Sequence, residues 1–265
     1  MSTSRPLPSP ELPPGSALHA KLYNDLASWF DLLTTPAEYA EATAFYWTVI
    51  HSACSSPPHT LLELGSGAGN NAYHLKAHCQ LTLVDLSVQM LGQSRSLNPE
   101  CEHIAGDMRS IRLGRQFDVV FIQDAISYMV TEADLEQAIQ SAFIHCKPGG
   151  VALFAPDYVR ETFRSSTSHG GHDSNGKGMR YLEWAWDPDP ADTAYLVDFA
   201  FLLRNENGEL RIESERHQLG MFARADWLRV MRSAGFEPNA IPFMDSEAGL
   251  GSDVFLGLKP PHLAV

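Results

Sequence analysis

The sequence predicts an α/β protein: a doubly wound, mostly parallel sheet with an antiparallel sheet inserted after the fifth strand. Three observations carry this expectation. Residues 61–69, Leu-Leu-Glu-Leu-Gly-Ser-Gly-Ala-Gly, read as a short buried strand running straight into a glycine turn. Further short apolar runs follow at Leu81–Val84, Ile104-Ala105, Phe117–Ile122 and Val151–Pro156, and Phe117–Ile122 is continuous enough for a strand buried on both faces. Beyond Tyr158 the pattern changes to three long strand-like runs divided by turn residues.

Taken in order, the Pro- and Ser-rich start, Met1 to Gly15, reads as a disordered tail ending near residue 18. Leu22–Leu33 reads as helix. Thr35-Pro36-Ala37-Glu38 is a capping box with proline at the first helical position, opening a helix over Ala37–Cys54. Ser87 and Thr131 are candidate N-caps for the helices after strands two and four. Lys147-Pro148-Gly149-Gly150 closes a helix and turns the chain into strand five. The late runs are Met179–Trp186, Thr193–Arg204 and Glu209–Leu219, separated by Asp187-Pro188-Asp189-Pro190 and Asn205-Glu206-Asn207-Gly208. Helix Arg224–Ala234 stops at Gly235, and Asp253–Leu258 supplies a final strand. The expected organisation is a core of residues 19–157 and 222–265 with residues 158–221 inserted as a lid.

The glycine turn carries chemistry. Gly65, Gly67 and Gly69 lack a Cβ, so a ligand can approach the backbone itself. Asp85, at the end of the second strand, is placed to accept hydrogen bonds from both ribose hydroxyls of a nucleoside. The dinucleotide fingerprint is altered, because Asn70 stands where its third glycine belongs, and Glu63 lies two residues before Gly65. This spacing suits a compact zwitterionic amino-acid tail better than a pyrophosphate. Asp107, after the third strand, can accept from an adenine amino group while the next backbone N–H reaches a ring nitrogen.

Gly65–Gly69 (GSGAG), Val84-Asp85, Gly106-Asp107-Met108, Phe117–Val120 (FDVV) and Lys147–Gly150 (KPGG), in this order, resemble the motifs of class I S-adenosylmethionine-dependent methyltransferases. The resemblance implies a Rossmann-like, mostly parallel seven-stranded sheet and S-adenosyl-L-methionine as cofactor. The expected cofactor side comprises Tyr23, Glu63, Gly65, Ser66, Gly67, Gly69, Asp85, Leu86, Met90, Gly106, Asp107, Met108 and Gln123. Tyr23 belongs to an N-terminal segment that resembles the tyrosine-bearing cofactor cover of small-molecule members. A nicotinamide oxidoreductase would share the first strand–helix–strand unit but leaves Gly106-Asp107-Met108 and Lys147–Gly150 unexplained.

Composition narrows the acceptor. A net charge of −13 over 265 residues opposes nucleic acid as substrate. After strand four the chain reads Gln123-Asp124-Ala125-Ile126, not the Asp/Asn-Pro-Pro-aromatic motif of base amino methylation. No apolar run approaches the roughly 20 residues of a membrane span, and Met1–Gly15 lacks a signal-sequence pattern. Cys54, Cys79, Cys101 and Cys146 show no Cys-x-x-Cys spacing and read as reduced thiols, so a cytoplasmic location is expected. Metal binding is not expected: His169 and His172 are separated by flexible glycines without further ligands at recognised spacing.

The inserted sheet should roof the carboxyl edge of the main sheet, where open α/β folds bind ligands. Tyr181, Trp184, Trp186 and Tyr195 are the candidate substrate wall, and Tyr195, Val197, Phe199 and Phe201 share one strand face. Asp124, Tyr128, His169 and His172 are the catalytic candidates, with His217 as a further base. The insert resembles that of glycine- and amino-sugar-type N-methyltransferases. Transfer to the nitrogen of a small amine therefore leads, O-methylation of a hydroxyl or carboxyl metabolite is the alternative, and a non-catalytic cofactor-binding subunit is a third reading. The expected partner is a small-molecule acceptor, without nucleic acid or membrane; a homodimer is admitted but not required.

Overall fold

The computed structural model describes residues 20–244 and 251–261. The predicted tail over residues 1–18 lies outside them. The chain enters through two 3-10 turns, Lys21–Tyr23 and Ala27–Trp29, and a four-residue helix α1 (Phe30–Leu33). The expected continuous helix over Leu22–Leu33 is thus broken. Docking accounts for the break: the segment buries Leu22, Leu26, Phe30 and Leu32 against Met90 and the inserted-sheet residues Met179, Phe201 and Leu203. The capping box forms as read, with Thr35 and Glu38 bonded reciprocally, and α2 (Ala40–Ala53) follows.

The core alternates strand and helix: β1 (Thr60–Leu64), α3 (Asn70–Leu75), β2 (Gln80–Asp85), α4 (Val88–Leu97), β3 (Glu102–Ala105), β4 (Phe117–Gln123), α5 (Glu132–His145) and β5 (Cys146–Ala155). Ser87 and Thr131 cap α4 and α5 by accepting from the backbone N–H of Met90 and Asp134. Lys147–Gly150 lies inside β5, not in a turn before it, and the β4–β5 register shifts between Phe117 and Val119. Lys147 there holds Asp118, whose other oxygen accepts from the His59 and Thr60 backbone. Two of the recognised motifs therefore fasten the amino ends of the central strands, away from the ligand edge.

The inserted region contributes β6 (Ser166–Gly170), β7 (Asp173–Ser174), β8 (Lys177–Trp186), β9 (Ala194–Arg204) and β10 (Leu210–Gly220). The stretch with flexible glycines between His169 and His172 flanks two strands, β6 and β7, because β8 extends far enough to offer them an antiparallel partner. After α6 (Arg224–Ala234), capped by Gly235 in the left-handed region, come β11 (Glu237–Met244) and β12 (Gly251–Leu258). Strand β11 carries Pro238 and Pro242 and lies at a sheet edge, where missing donors are tolerated.

The main sheet has seven strands in the order β11-β12-β5-β4-β1-β2-β3, with β11 and β12 antiparallel to the rest. Strand order reverses between β1 and β4, so their carboxyl ends diverge into a crevice. The second sheet runs β10-β9-β8-β6, with β7 paired to β8. Among the described residues no helix is long and apolar enough to cross a membrane.

Candidate active site

A cavity of about 730 Å³ opens over the carboxyl ends of β1, β2, β4 and β5. Its floor is the loop after β1, where Gly65, Gly67 and Gly69 take φ of 75°, 53° and 81°. A Cβ on Gly65 would stand 2.2 Å from that of Ala125, so this close crossing of β1 and β4 ends requires glycine. Asp85 fixes the loop: Oδ2 accepts from the Gly67 N–H at 2.7 Å and Oδ1 from the Ser87 N–H at 2.8 Å. Burial raises its carboxyl above the usual range, against the pull of those backbone donors.

Behind the loop, Glu63 is fully buried, and burial pushes its carboxyl up to about 8. Among the described residues, Glu63 Oε2 and Ser66 Oγ are buried polar atoms without a hydrogen-bond partner. Asn71 links this pocket to the cavity wall, donating to Gln123 Oε1 at 2.6 Å and weakly to Glu63 Oε1 at 3.5 Å. A cradle with a carboxyl, a hydroxyl and glycine backbone suits a ligand bearing both ammonium and carboxylate.

The opposite wall is acidic and aromatic. Asp124, just past β4, adopts φ 42°, an uncommon value for a non-glycine residue. Its side chain lines the cavity; burial, and then neighbouring Asp157, raise its carboxyl well above the usual range. The two carboxyls are hydrogen-bonded, and Asp157 also accepts from the Tyr195 hydroxyl at 3.2 Å. Glu183, on β8, completes the acidic wall, its carboxyl likewise raised by burial and by Asp157.

Next to it runs a chain of polar groups. The Tyr23 and Tyr128 hydroxyls are hydrogen-bonded at 3.0 Å, Tyr128 lies 2.6 Å from His217 Nδ1, and His217 Nε2 meets Glu215. Tyr23 is held in place by its carbonyl, which accepts from Ser87 Oγ at 2.5 Å, and by the Leu22 N–H, which donates to Glu215.

A family model described as a methyltransferase domain matches residues 61–150, the stretch that builds the glycine loop, Asp85 and the β4 end. Residues 61–150 are a methyltransferase domain, and the chain resembles the class I S-adenosylmethionine-dependent methyltransferases. A curated relative from Streptomyces fradiae, dTDP-3-amino-3,6-dideoxy-alpha-D-glucopyranose N,N-dimethyltransferase, is 25% identical over 72% of this methyltransferase and 75% of its own length. A second, dTDP-3-amino-3,4,6-trideoxy-alpha-D-glucopyranose N,N-dimethyltransferase from Streptomyces venezuelae, is 35% identical over 39% of this chain and 45% of its own. The solved structure of the sugar N-methyltransferase KedS8 from Streptoalloteichus superposes with a TM-score of 0.75 at 21% identity, covering 98% of each chain. DesVI from Streptomyces venezuelae gives 0.74 at 23%, covering 91% of this chain and 98% of its own.

Of the residues singled out from the sequence, the methyltransferase brings Tyr23, Gly65, Ser66, Gly67, Asp85, Leu86, Met90, Gly106, Asp107, Met108, Gln123, Asp124, Tyr128 and Tyr195 onto one cavity. Glu63 and Gly69 lie behind its wall. Asp107 sits two residues past β3, and Arg109 grips its carboxylate with Nε and an Nη while bonding Asp134, so it is less free for an adenine amino group than its position suggests.

Other expectations are corrected. His169 is exposed on β6, and His172 is bonded to Glu38 on the surface; neither lines the cavity. Trp184 and Trp186 face outward. Trp184 is 52% exposed and stacks on Trp186, whose indole N–H donates to Asp198. Glu183 and Ala185 alternate with them, so the cavity face of β8 is acidic and small where the tryptophans were expected. Tyr181 shares that inner face but packs with the N-terminal segment, off the cavity.

Asp157, Glu183 and Tyr39 line the cavity without having been singled out as site residues. Alternation from Phe199 would have found Glu183, because the two are register partners. Asp157 carries no local signal beyond its place just past strand five.

Proposed function

We propose that this methyltransferase transfers a methyl group to the nitrogen of a small amine. The observation that carries the proposal is the wall of Asp124, Asp157 and Glu183 facing the cavity across from the glycine loop. Carboxylates placed around an acceptor nitrogen attract it as an ammonium and orient its lone pair once the proton is gone. The two curated relatives, named as N,N-dimethyltransferases of dTDP-linked amino sugars, support an amino sugar as the amine.

Bound S-adenosylmethionine supplies an electrophilic methyl group already activated on sulfonium. Asp85 is assigned to the ribose diol, the Gly65–Gly67 backbone and Ser66 to the amino-acid end, and Met108 to the adenine edge. For the displacement itself the protein contributes alignment and exclusion of water, since the neutral amine needs an in-line approach to the methyl group. The N-terminal segment helps close the cavity through Tyr23.

A hydroxyl acceptor is the second reading, favoured by the Tyr128–His217–Glu215 chain, which resembles a base assembly such a substrate requires. A net charge of −13 supports an acceptor other than nucleic acid. The cytoplasmic reading is supported by four free cysteines, and that of a homodimer by Leu182, Leu202 and Ile212 exposed on the outer face of the inserted sheet. The division into a core and a lid at residues 158–221 is proposed on the same footing.

The test is transfer of labelled methyl to paired acceptors, a dTDP-linked 3-amino sugar and its 3-hydroxy counterpart. The amine alone should be labelled, and Glu183→Gln should raise its KM.

A further inference from the structure

We propose that Tyr128, His217 and Glu215 form a proton relay that takes the proton from the incoming ammonium, with Tyr128 touching the acceptor and His217 and Glu215 acting through it. The inference rests on the amine reading above. An amine of ordinary basicity is protonated at neutral pH, with a pKa of about 10 as for lysine, and an ammonium has no lone pair. Something must receive that proton before each transfer.

The geometry orders the relay. Tyr128 lines the cavity, and its hydroxyl lies 2.6 Å from His217 Nδ1. His217 is 2% exposed, and its other ring nitrogen, Nε2, meets Glu215, whose side chain is 7% exposed. A carboxylate at Nε2 favours the tautomer with hydrogen there, leaving Nδ1 to accept; Tyr128 has one hydroxyl hydrogen, so serving Nδ1 means giving up its donation to the Tyr23 hydroxyl, which turns to donate in its place. Nothing about His217 as a simple core residue requires this arrangement: its ring packs on Phe199, Tyr23 and Tyr128 at the cavity margin, with its two nitrogens joined to one hydroxyl and one carboxylate.

The step balances without a further reactant. The ammonium N–H bond breaks and its hydrogen bonds to Tyr128 Oη. The original hydroxyl hydrogen moves to His217 Nδ1, and the imidazolium is paired with Glu215. The neutral amine keeps the electron pair that attacks the methyl group. After the product leaves, the same path runs backwards and delivers one proton to water. The groups facing His217 are Glu215 on its own strand, Tyr128 after β4, Tyr23 in the N-terminal turn and Glu183 on β8; Asp157 acts on both tyrosines.

The test compares wild type with His217→Gln, Glu215→Gln and Tyr128→Phe, using a dTDP-linked 3-amino sugar as probe between pH 6.5 and 9.5. At pH 7 kcat should fall about 100-fold in His217→Gln, the scale of a lost acid–base group. The deficit should shrink to within a few-fold by pH 9.5, where about a quarter of the amine arrives unprotonated against about a thousandth at pH 7. Melting temperature and S-adenosylhomocysteine affinity should stay near wild type. A deficit equal at all pH values, in a folded variant, would overturn the relay while leaving the amine reading standing. Labelling of the 3-hydroxy sugar in place of the amine would overturn the amine reading, and with it a relay that starts from an ammonium. Nitrogen-15 histidine NMR of the ligand-free enzyme gives an independent check: His217 should carry its hydrogen on Nε2, and hydrogen on Nδ1 would overturn the relay whatever the acceptor. Glu215 also anchors the Leu22 N–H, so if its variant unfolds, His217→Gln and the NMR tautomer decide.

Discussion

Asp85 Oδ2 accepts the backbone N–H of Gly67 at 2.7 Å, tying the end of the second strand to the glycine loop of the first. One carboxylate therefore shapes the loop and faces the proposed ribose position.

Replacing it has two expected consequences. Asp85→Ala removes charge-assisted bonds to the ribose diol worth ~3 kcal/mol together, so calorimetry should show S-adenosylhomocysteine affinity about 100-fold weaker. It also strands the Gly67 and Ser87 donors, so the melting temperature should drop by a few degrees, and less in Asp85→Asn. Because burial raises the carboxyl, affinity should start to fall at a pH above the ordinary carboxylate range as the solution is acidified. Unchanged affinity in the alanine variant would remove Asp85 from the cofactor site.

Glu63 gives a stability prediction with a definite sign. Its folded carboxyl sits at about 8 against an ordinary 4.5, so the fold prefers the neutral form. That preference is fully expressed below about pH 4.5 and is lost as pH rises through about 8. Glu63→Gln should therefore raise the ligand-free unfolding free energy at pH 9, by an amount on the order of 1 kcal/mol or more. The gain should vanish at pH 4.5. An equal effect at both pH values would mean that Glu63 is not buried as a neutral acid.

The two faces of β8 predict opposite phenotypes. Trp184→Ala, on the outer face, should leave acceptor KM and kcat within about two-fold of wild type and stability nearly unchanged, as for a surface substitution. Glu183→Gln, one residue away on the inner face, should raise acceptor KM about ten-fold if the carboxylate supplies a charge-assisted contact, while S-adenosylhomocysteine affinity holds. Loss of turnover in Trp184→Ala alone would reverse the assignment of faces.

Much of this arrangement was legible in the residues. Glycine spacing, Asp85 and the apolar run Phe117–Ile122 located the ligand edge because backbone conformation and burial leave strong local marks. What failed was set at longer range. Alternation puts Trp184 and Trp186 on one face of an aromatic-rich insert, which pointed to the pocket wall, but the hairpin register pairs Trp184 with Asp198 on the outer face and Glu183 with Phe199 on the inner. The segment 22–33 has helical spacing, yet docking on helix α4 and the inserted sheet at once breaks it into turns. Strand β11 hid behind two prolines that an edge position tolerates. His217 was only one of several histidines until the fold set Tyr128 and Glu215 on either side of it.

The central claim is that one cavity holds S-adenosylmethionine on the glycine loop and a small amine against Asp157 and Glu183. Mass spectrometry of the product formed from methyl-labelled S-adenosylmethionine and a dTDP-linked 3-amino sugar tests it most directly. The account predicts label on nitrogen, with the yield sharply reduced in an Asp157→Asn, Glu183→Gln double variant that still binds S-adenosylhomocysteine normally. Label on a sugar oxygen, or full yield from the double variant, would contradict it.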